Sequence, residues 1–81
     1  MTNFHELLRY LRIKASLSQR DVAESLGLES GQFISNFERG ACLPPLKSLP
    51  ELASLYRVPL KRLFDKYSAA KKLREWEIIS G

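Results

Sequence analysis

The chain has one cysteine, one histidine and no long apolar run, and each scarcity removes a class of protein. A single thiol, Cys42, excludes an internal disulfide and gives no metal-ligand spacing. It suits a reducing compartment, so a cytoplasmic location is expected. His5 has no second ligand within sequence reach and is read as a surface histidine. No stretch approaches the ~20 apolar residues of a membrane span, and Met-Thr-Asn-Phe-His-Glu lacks the pattern of a signal peptide, so no membrane partner is expected. A paired acid and base, a nucleophile with a partner and a phosphate-cradling glycine loop are all missing. No catalytic residue, metal or cofactor is therefore expected. Repeats, low-complexity tracts and domain-scale linkers are missing too.

What is present fits one small soluble domain. Eighty-one residues leave no room for a second core. A hydrophobic share of 44% suffices for a packed interior, and 27% charged residues supply a wetted surface. The net charge of +4 favours an anionic partner, although charge alone is a weak argument.

Residues Ser30 to Gly40 carry the strongest signal. On a helix, Ile34 and Phe37 fall on one side, flanked by Ser30 and Glu38. Gln32, Asn36 and Arg39 fall on the opposite side, with Ser35 at the edge. That outer face is made of side chains that hydrogen-bond base edges and phosphates: Gln and Asn pair with adenine in bidentate fashion, and Arg grips guanine or a phosphate. Ser30 is placed to cap the helix and Gly40 to end it. One turn upstream, Leu17-Ser18-Gln19 opens another short helix. Two short helices joined tightly, the second polar on its outer face, read as a DNA-binding helix-turn-helix.

The remaining chain supports this pair. A first helix is expected over about Asn3 to Ala15, capped by Thr2 or Asn3, with Phe4, Leu8, Leu11 and Ala15 as its apolar stripe and Arg12 beside it. Ser18 and Asp21 form a capping pattern for the second helix, whose inward residues are Val22, Ala23 and Leu26. Gln19 and Arg20 sit at its start, where free amides favour a phosphate. Pro44-Pro45 enforces a loop. A fourth helix follows, with Leu46, Leu49, Leu52, Ala53 and Tyr56 inward. Pro50 fits a regular start near Ser48, with Glu51 as capping partner, or a distorted first turn from Leu46. Pro59 suits the first position of a fifth helix that buries Leu60, Leu63 and Phe64. Residues 67–81 predict additional helix, either a sixth element or a continuation of the fifth.

The run Leu11-Arg12, Leu17-Ser18-Gln19, Val22-Ala23, Leu26-Gly27, Ile34-Ser35, Glu38-Arg39-Gly40, Pro44 and Leu46 resembles the Xre family of phage-repressor and Cro-like domains. The resemblance covers roughly residues 7–64. It implies five helices, the third in the major groove, and a two-fold homodimer on a palindromic double-stranded operator. Position by position it implies base contacts at Gln32, Asn36, Ser35 and Gly31. Phosphate contacts are implied at Gln19, at Arg39 and along the backbone after Gly40, including Ala41; Arg20 and Lys47 are added from their places at helix starts. Arg12 and Glu38 match a structural ion pair. The chain departs from the pattern in a longer turn before Ser30, in Gly31 where relatives carry a base-reading side chain, in Phe33, and in the apolar Ala41-Cys42-Leu43.

The fold expected is thus all-α: a five-helix repressor-like helix-turn-helix domain over residues 1–66 with an additional helical tail over 67–81. The function expected is specific DNA binding that regulates transcription, as a repressor of its own operon. The competing reading is an antitoxin-type module that neutralises a protein partner through the apolar tail Leu73, Trp76, Ile78 and Ile79. Tyr10 and Ile13 point away from the first helix's stripe. The tail is expected to cover them, within one chain or across a dimer.

Overall fold

The computed structural model describes residues 2–81, and among them every regular element is helical. The order is α1 (Phe4–Lys14), α2 (Gln19–Ser25), α3 (Gln32–Arg39), a 3-10 turn (Leu46–Ser48), α4 (Leu49–Tyr56) and α5 (Leu60–Ser80). Local hydrogen bonds explain most of these limits. Asn3, rather than Thr2, caps α1 by accepting the Glu6 N–H at 2.8 Å. Ser18 Oγ accepts the Asp21 N–H while Asp21 Oδ2 accepts the Ser18 N–H, each at 2.9 Å, so two orphan amides of α2 are satisfied reciprocally. Gly40 ends α3 in the left-handed region, at φ 79°, where a side chain would be strained.

Several expected boundaries move. Helix α3 begins at Gln32 with Gly31 as its N-cap residue; the Ser30 hydroxyl instead accepts the Gln32 N–H at 3.2 Å, just ahead of the helix. Pro50 is accommodated by both devices in part: a 3-10 turn from Leu46 precedes a regular α4 that carries Pro50 in its first turn. Ser48 does not form a capping box with Glu51, because its hydroxyl donates to the Pro45 carbonyl at 2.6 Å. Leu46 consequently lies on the turn, half-exposed rather than inward, and Leu60 and Phe64 are also about half-exposed. Pro59 caps α5 rather than opening it.

The core gathers Phe4, Leu7, Leu8 and Leu11 of α1 with Val22, Ile34 and Phe37 of the short helices and Leu49, Leu52, Tyr56, Leu63 and Tyr67 of the last two. Each large apolar side chain removed from water contributes about 1.5–3 kcal/mol, so this shared cluster, not helix propensity, holds α2 and α3 at only seven and eight residues. Phe4 meets Tyr67 edge to face, with ring centroids 5.6 Å apart.

The tail is not a separate element. Helix α5 runs unbroken through position 67, because no Gly or Pro interrupts it and Ala69, Ala70, Lys71 and Lys72 favour helix. The expected packing of the tail on Tyr10 and Ile13 within one chain does not occur. Phe4 lies opposite Tyr67, while Leu11 and Lys14 share a groove with Arg62, so α1 and α5 run antiparallel. Ile79 therefore sits roughly 18 Å beyond the level of Phe4, in the direction away from Ile13. Tyr10, Ile13, Leu73, Trp76 and Ile79 all remain exposed, and Lys14 Nζ stands 5.7 Å from the Tyr10 ring centre.

The α2 cap carries a testable charge dependence. Hydrogen bonds from the Ser18 backbone amide and hydroxyl hold the Asp21 carboxyl below the usual carboxylate range. A carboxyl depressed in the folded state stabilises it above the unfolded value, and that contribution is lost as pH falls through the folded one. Asp21→Asn should therefore be less stable than the parent at pH 7. The gap should narrow progressively as pH falls below about 4, as urea titrations at pH 7 and at successively lower pH will read out.

Candidate nucleic-acid interface

Helix α3 turns Ile34 and Phe37 into the core and leaves Gln32 and Arg39 exposed, with Asn36 and Ser35 half-buried along the same outer side. The three polar side chains are linked. Gln32 Nε2 donates to Asn36 Oδ1 at 3.0 Å, and Arg39 Nη2 donates to the same oxygen. One N–H and the carbonyl of Gln32 stay available, as does the whole NH2 group of Asn36. The face thus presents ordered donors and an acceptor at the spacing of a helix turn. Phe33 borders it, 44% exposed, neither core nor fully free.

The position of α3 is fixed by a buried ionic junction. Arg12 Nε and Nη2 donate to Glu38 Oε2 and Oε1 at 2.6 and 3.1 Å, a bidentate pair with the carboxylate side chain only 2% exposed. Arg12 Nη1 donates to the Leu17 carbonyl at 2.9 Å, and Gln19 Nε2 donates to Glu38 Oε1 at 3.2 Å. One carboxylate therefore gathers α1, the loop after it, α2 and α3. The hydrogen bond to Glu38 raises the Arg12 pKa despite its burial, and burial pushes the Tyr56 phenol up close by. Sequence resemblance pointed to the Arg12–Glu38 pair; the share taken by Gln19 was not foreseen.

Gly31 has a different part from the one expected of a base-facing position. A Cβ there would lie 3.2 Å from Arg20 N and 3.3 Å from Gln19, both backbone or near-backbone atoms of α2. A side chain would point at α2, not outward, and the glycine is what lets the starts of α2 and α3 lie side by side. Gln19 and Arg20 are thereby brought against Gly31, the residue before Gln32. Arg20 is exposed and shares an open i,i+4 ion pair with Glu24 at 3.2 Å, which leaves it free to move. Ala41 does not offer the expected backbone contact: its N–H donates to the Asn36 carbonyl at 3.0 Å, closing the end of α3. Lys47 stands exposed on the 3-10 turn, and no hydrogen bond or ion pair among the described residues ties it to the α3 face.

Residues 4–63 match the family model described as "Helix-turn-helix domain". Over 60 residues the chain is 32% identical to the cryptic phage CTXphi transcriptional repressor RstR of Vibrio cholerae, an alignment that takes in 74% of this chain and 53% of that protein. The chain belongs to the helix-turn-helix domain family. It spans about half the length of that curated relative. The matched segment holds α1 to the start of α5, the Xre-type pattern and the whole Arg12–Glu38 junction, and it leaves most of α5 outside.

Two side chains that sequence reasoning did not assign act on the far end of the recognition-type helix. His5 Nδ1 donates to the Phe37 carbonyl at 2.7 Å, and Arg74 Nη2 donates to the Gly40 carbonyl at 2.6 Å. Carbonyls at a helix C-terminus lack partners of their own, and donors there, above all cations, are favoured. His5 is half-buried in this role, not a free surface residue. No local signal announced Arg74, whose bond joins residues 34 positions apart.

The junction predicts a coupled pair. Arg12→Met and Glu38→Leu alone should each cost roughly 3–5 kcal/mol, since either leaves a buried charge without its partner. The double substitution should recover much of that. Chemical denaturation of all four proteins supplies the cycle, and simple additivity would mean that the bidentate contact contributes nothing.

Proposed function

We propose that this helix-turn-helix domain binds double-stranded DNA in a sequence-specific manner as a two-fold dimer and represses transcription of its own operon. The observation that carries the reading is the linked Gln32–Asn36–Arg39 face, held outward by the buried Arg12–Glu38 junction. Such a helix fits the major groove, with partner helices about 34 Å apart on the same side of the duplex. Gln32 retains a donor and an acceptor, the pair that adenine matches at N7 and N6. Asn36 directs its oxygen to Gln32 and Arg39 and offers its NH2 group to an acceptor on a base. Ser35, at the edge of the face, is a secondary contact, and the Gly31 backbone brings the start of α3 close to the groove wall. Repression is supported by the likeness to RstR, itself a phage transcriptional repressor.

Affinity in this scheme comes mainly from the phosphates, through Gln19, Arg20 and Arg39, with Lys47 on the flank. Gln19 is well suited, because Glu38 fixes its amide through one N–H and leaves the other for a phosphate oxygen.

Two outcomes separate base reading from charge. Gln32→Ala and Asn36→Ala should each cost about 1–3 kcal/mol on the cognate site and relax discrimination at one or two base pairs. Arg39→Ala should weaken every sequence alike and flatten the dependence of log K on log salt by about one unit. Titrations over a panel of single-base site variants at several salt concentrations measure both. Unchanged base preference in both amide variants would remove α3 from the reading role.

A further inference from the structure

A groove of about 600 Å³ opens where the end of α1, the loop after it, the end of α4 and the start of α5 meet. That volume lies within the range of small-molecule sites. Leu11, Leu17, Leu55 and Val58 give it an apolar floor, and Lys14, Arg57 and Arg62 line it with positive charge. No carboxylate is among its lining residues, and none of the three cations joins an ion pair among the described residues. Like charges gathered without a counter-charge repel one another, so the arrangement gains from an anion. Lys14 has the exposed Tyr10 ring beside it, a contact weak enough to give up.

Two further features belong to the same groove. Tyr56 lines it and is only 6% exposed, yet its hydroxyl has no hydrogen-bond partner among the described residues. Among those residues no fully buried side-chain oxygen or nitrogen is left unpaired, so this hydroxyl keeps an opening, which the groove supplies. Burial pushes the phenol pKa up, so the group stays protonated and can donate. Arg57 ends α4 at φ 55°, in the left-handed region that glycine occupies after α2 and α3. An arginine there carries a backbone cost that glycine would not, and its side chain puts a cation on the groove.

We propose that this groove binds a small phosphate monoester with an apolar body. The three cations surround the phosphate, the Tyr56 hydroxyl donates to one of its oxygens, and the leucines and valine take the apolar part. Three positive charges suit a group carrying close to two negative charges better than they suit a carboxylate. The site is separate from the outer face of α3 and needs neither DNA nor a second chain. It adjoins the Arg12–Glu38 junction, because Arg12 holds the Leu17 carbonyl and lies within electrostatic reach of Tyr56.

Calorimetric titration of the full chain with naphthyl phosphate, set beside titrations with naphthol and with inorganic phosphate, tests this without DNA. One-to-one binding of the monoester, about tenfold or more tighter than either fragment, is expected. Arg57→Asn tolerates the left-handed backbone and should weaken binding about tenfold, as should Arg62→Gln and Lys14→Gln. Tyr56→Phe should weaken it several-fold while the thermal transition of the free chain is kept or raised, since the lost hydroxyl had no partner. A monoester that does not bind, or binds no tighter than inorganic phosphate, overturns the proposal. Unchanged monoester affinity in Arg57→Asn and Arg62→Gln overturns it too, and weaker DNA binding by those variants would then assign the cations to the duplex backbone. A Tyr56→Phe chain that melts earlier and binds the monoester as before overturns the part given to the hydroxyl.

Discussion

A single carboxylate organises this molecule. Glu38 lies on α3, but its two oxygens accept from Arg12 of α1 and Gln19 of α2, while Arg12 also holds the Leu17 carbonyl in the loop between those helices. A charge so deeply buried is costly unless it is paired and hydrogen-bonded, and here the guanidinium fork and the glutamine amide supply three donors to its two oxygens. Apolar contacts alone would leave two helices of seven and eight residues able to slide over the core. The directional bonds fix their angle and register. The stability that the pair adds is secondary to this; it removes alternatives to one placement of α3.

The outer face of α3 depends on that placement from both ends. At its start, Gly31 allows α2 to approach closely enough for Gln19 to reach Glu38. At its finish, His5 and Arg74 donate to the Phe37 and Gly40 carbonyls, and the Ala41 amide closes back on Asn36. Buried bonds on the inner side and capping bonds at the end leave the side chains of Gln32, Asn36 and Arg39 as the adaptable part. Proposed recognition of bases therefore rests on a rigid backbone carrying a small, linked polar cluster, which lowers the ordering cost of binding.

Legibility in the sequence followed the range of the interactions. The Ser18–Asp21 cap, the Gly40 stop and the apolar sides of α1 and α3 are decided within a few residues, and they could be read directly. Arg12 and Glu38 are 26 positions apart; only their places beside two apolar stripes, together with the resemblance, brought them together. Between the two starts left open for α4, the capping box at Ser48 fails because its hydroxyl turns to donate to the Pro45 carbonyl instead of accepting the Glu51 N–H, and Leu46 leaves the helical stripe because a 3-10 turn rotates it. Ala41 appeared available since nothing local shows that its amide closes the helix. The direction of the tail needed the antiparallel pairing of α1 and α5, a global fact that places Tyr10 and Trp76 at opposite ends.

The proposed function requires this fixed face to select a DNA sequence. Selection from a pool of random duplexes tests it most directly, with the purified chain as the only protein and sequencing of the retained DNA. Enrichment of a two-fold symmetric site whose half-sites lie about 10 base pairs apart, centre to centre, is expected. Retention that falls with salt yet enriches no sequence would contradict it, because phosphate contacts without base reading behave in that way.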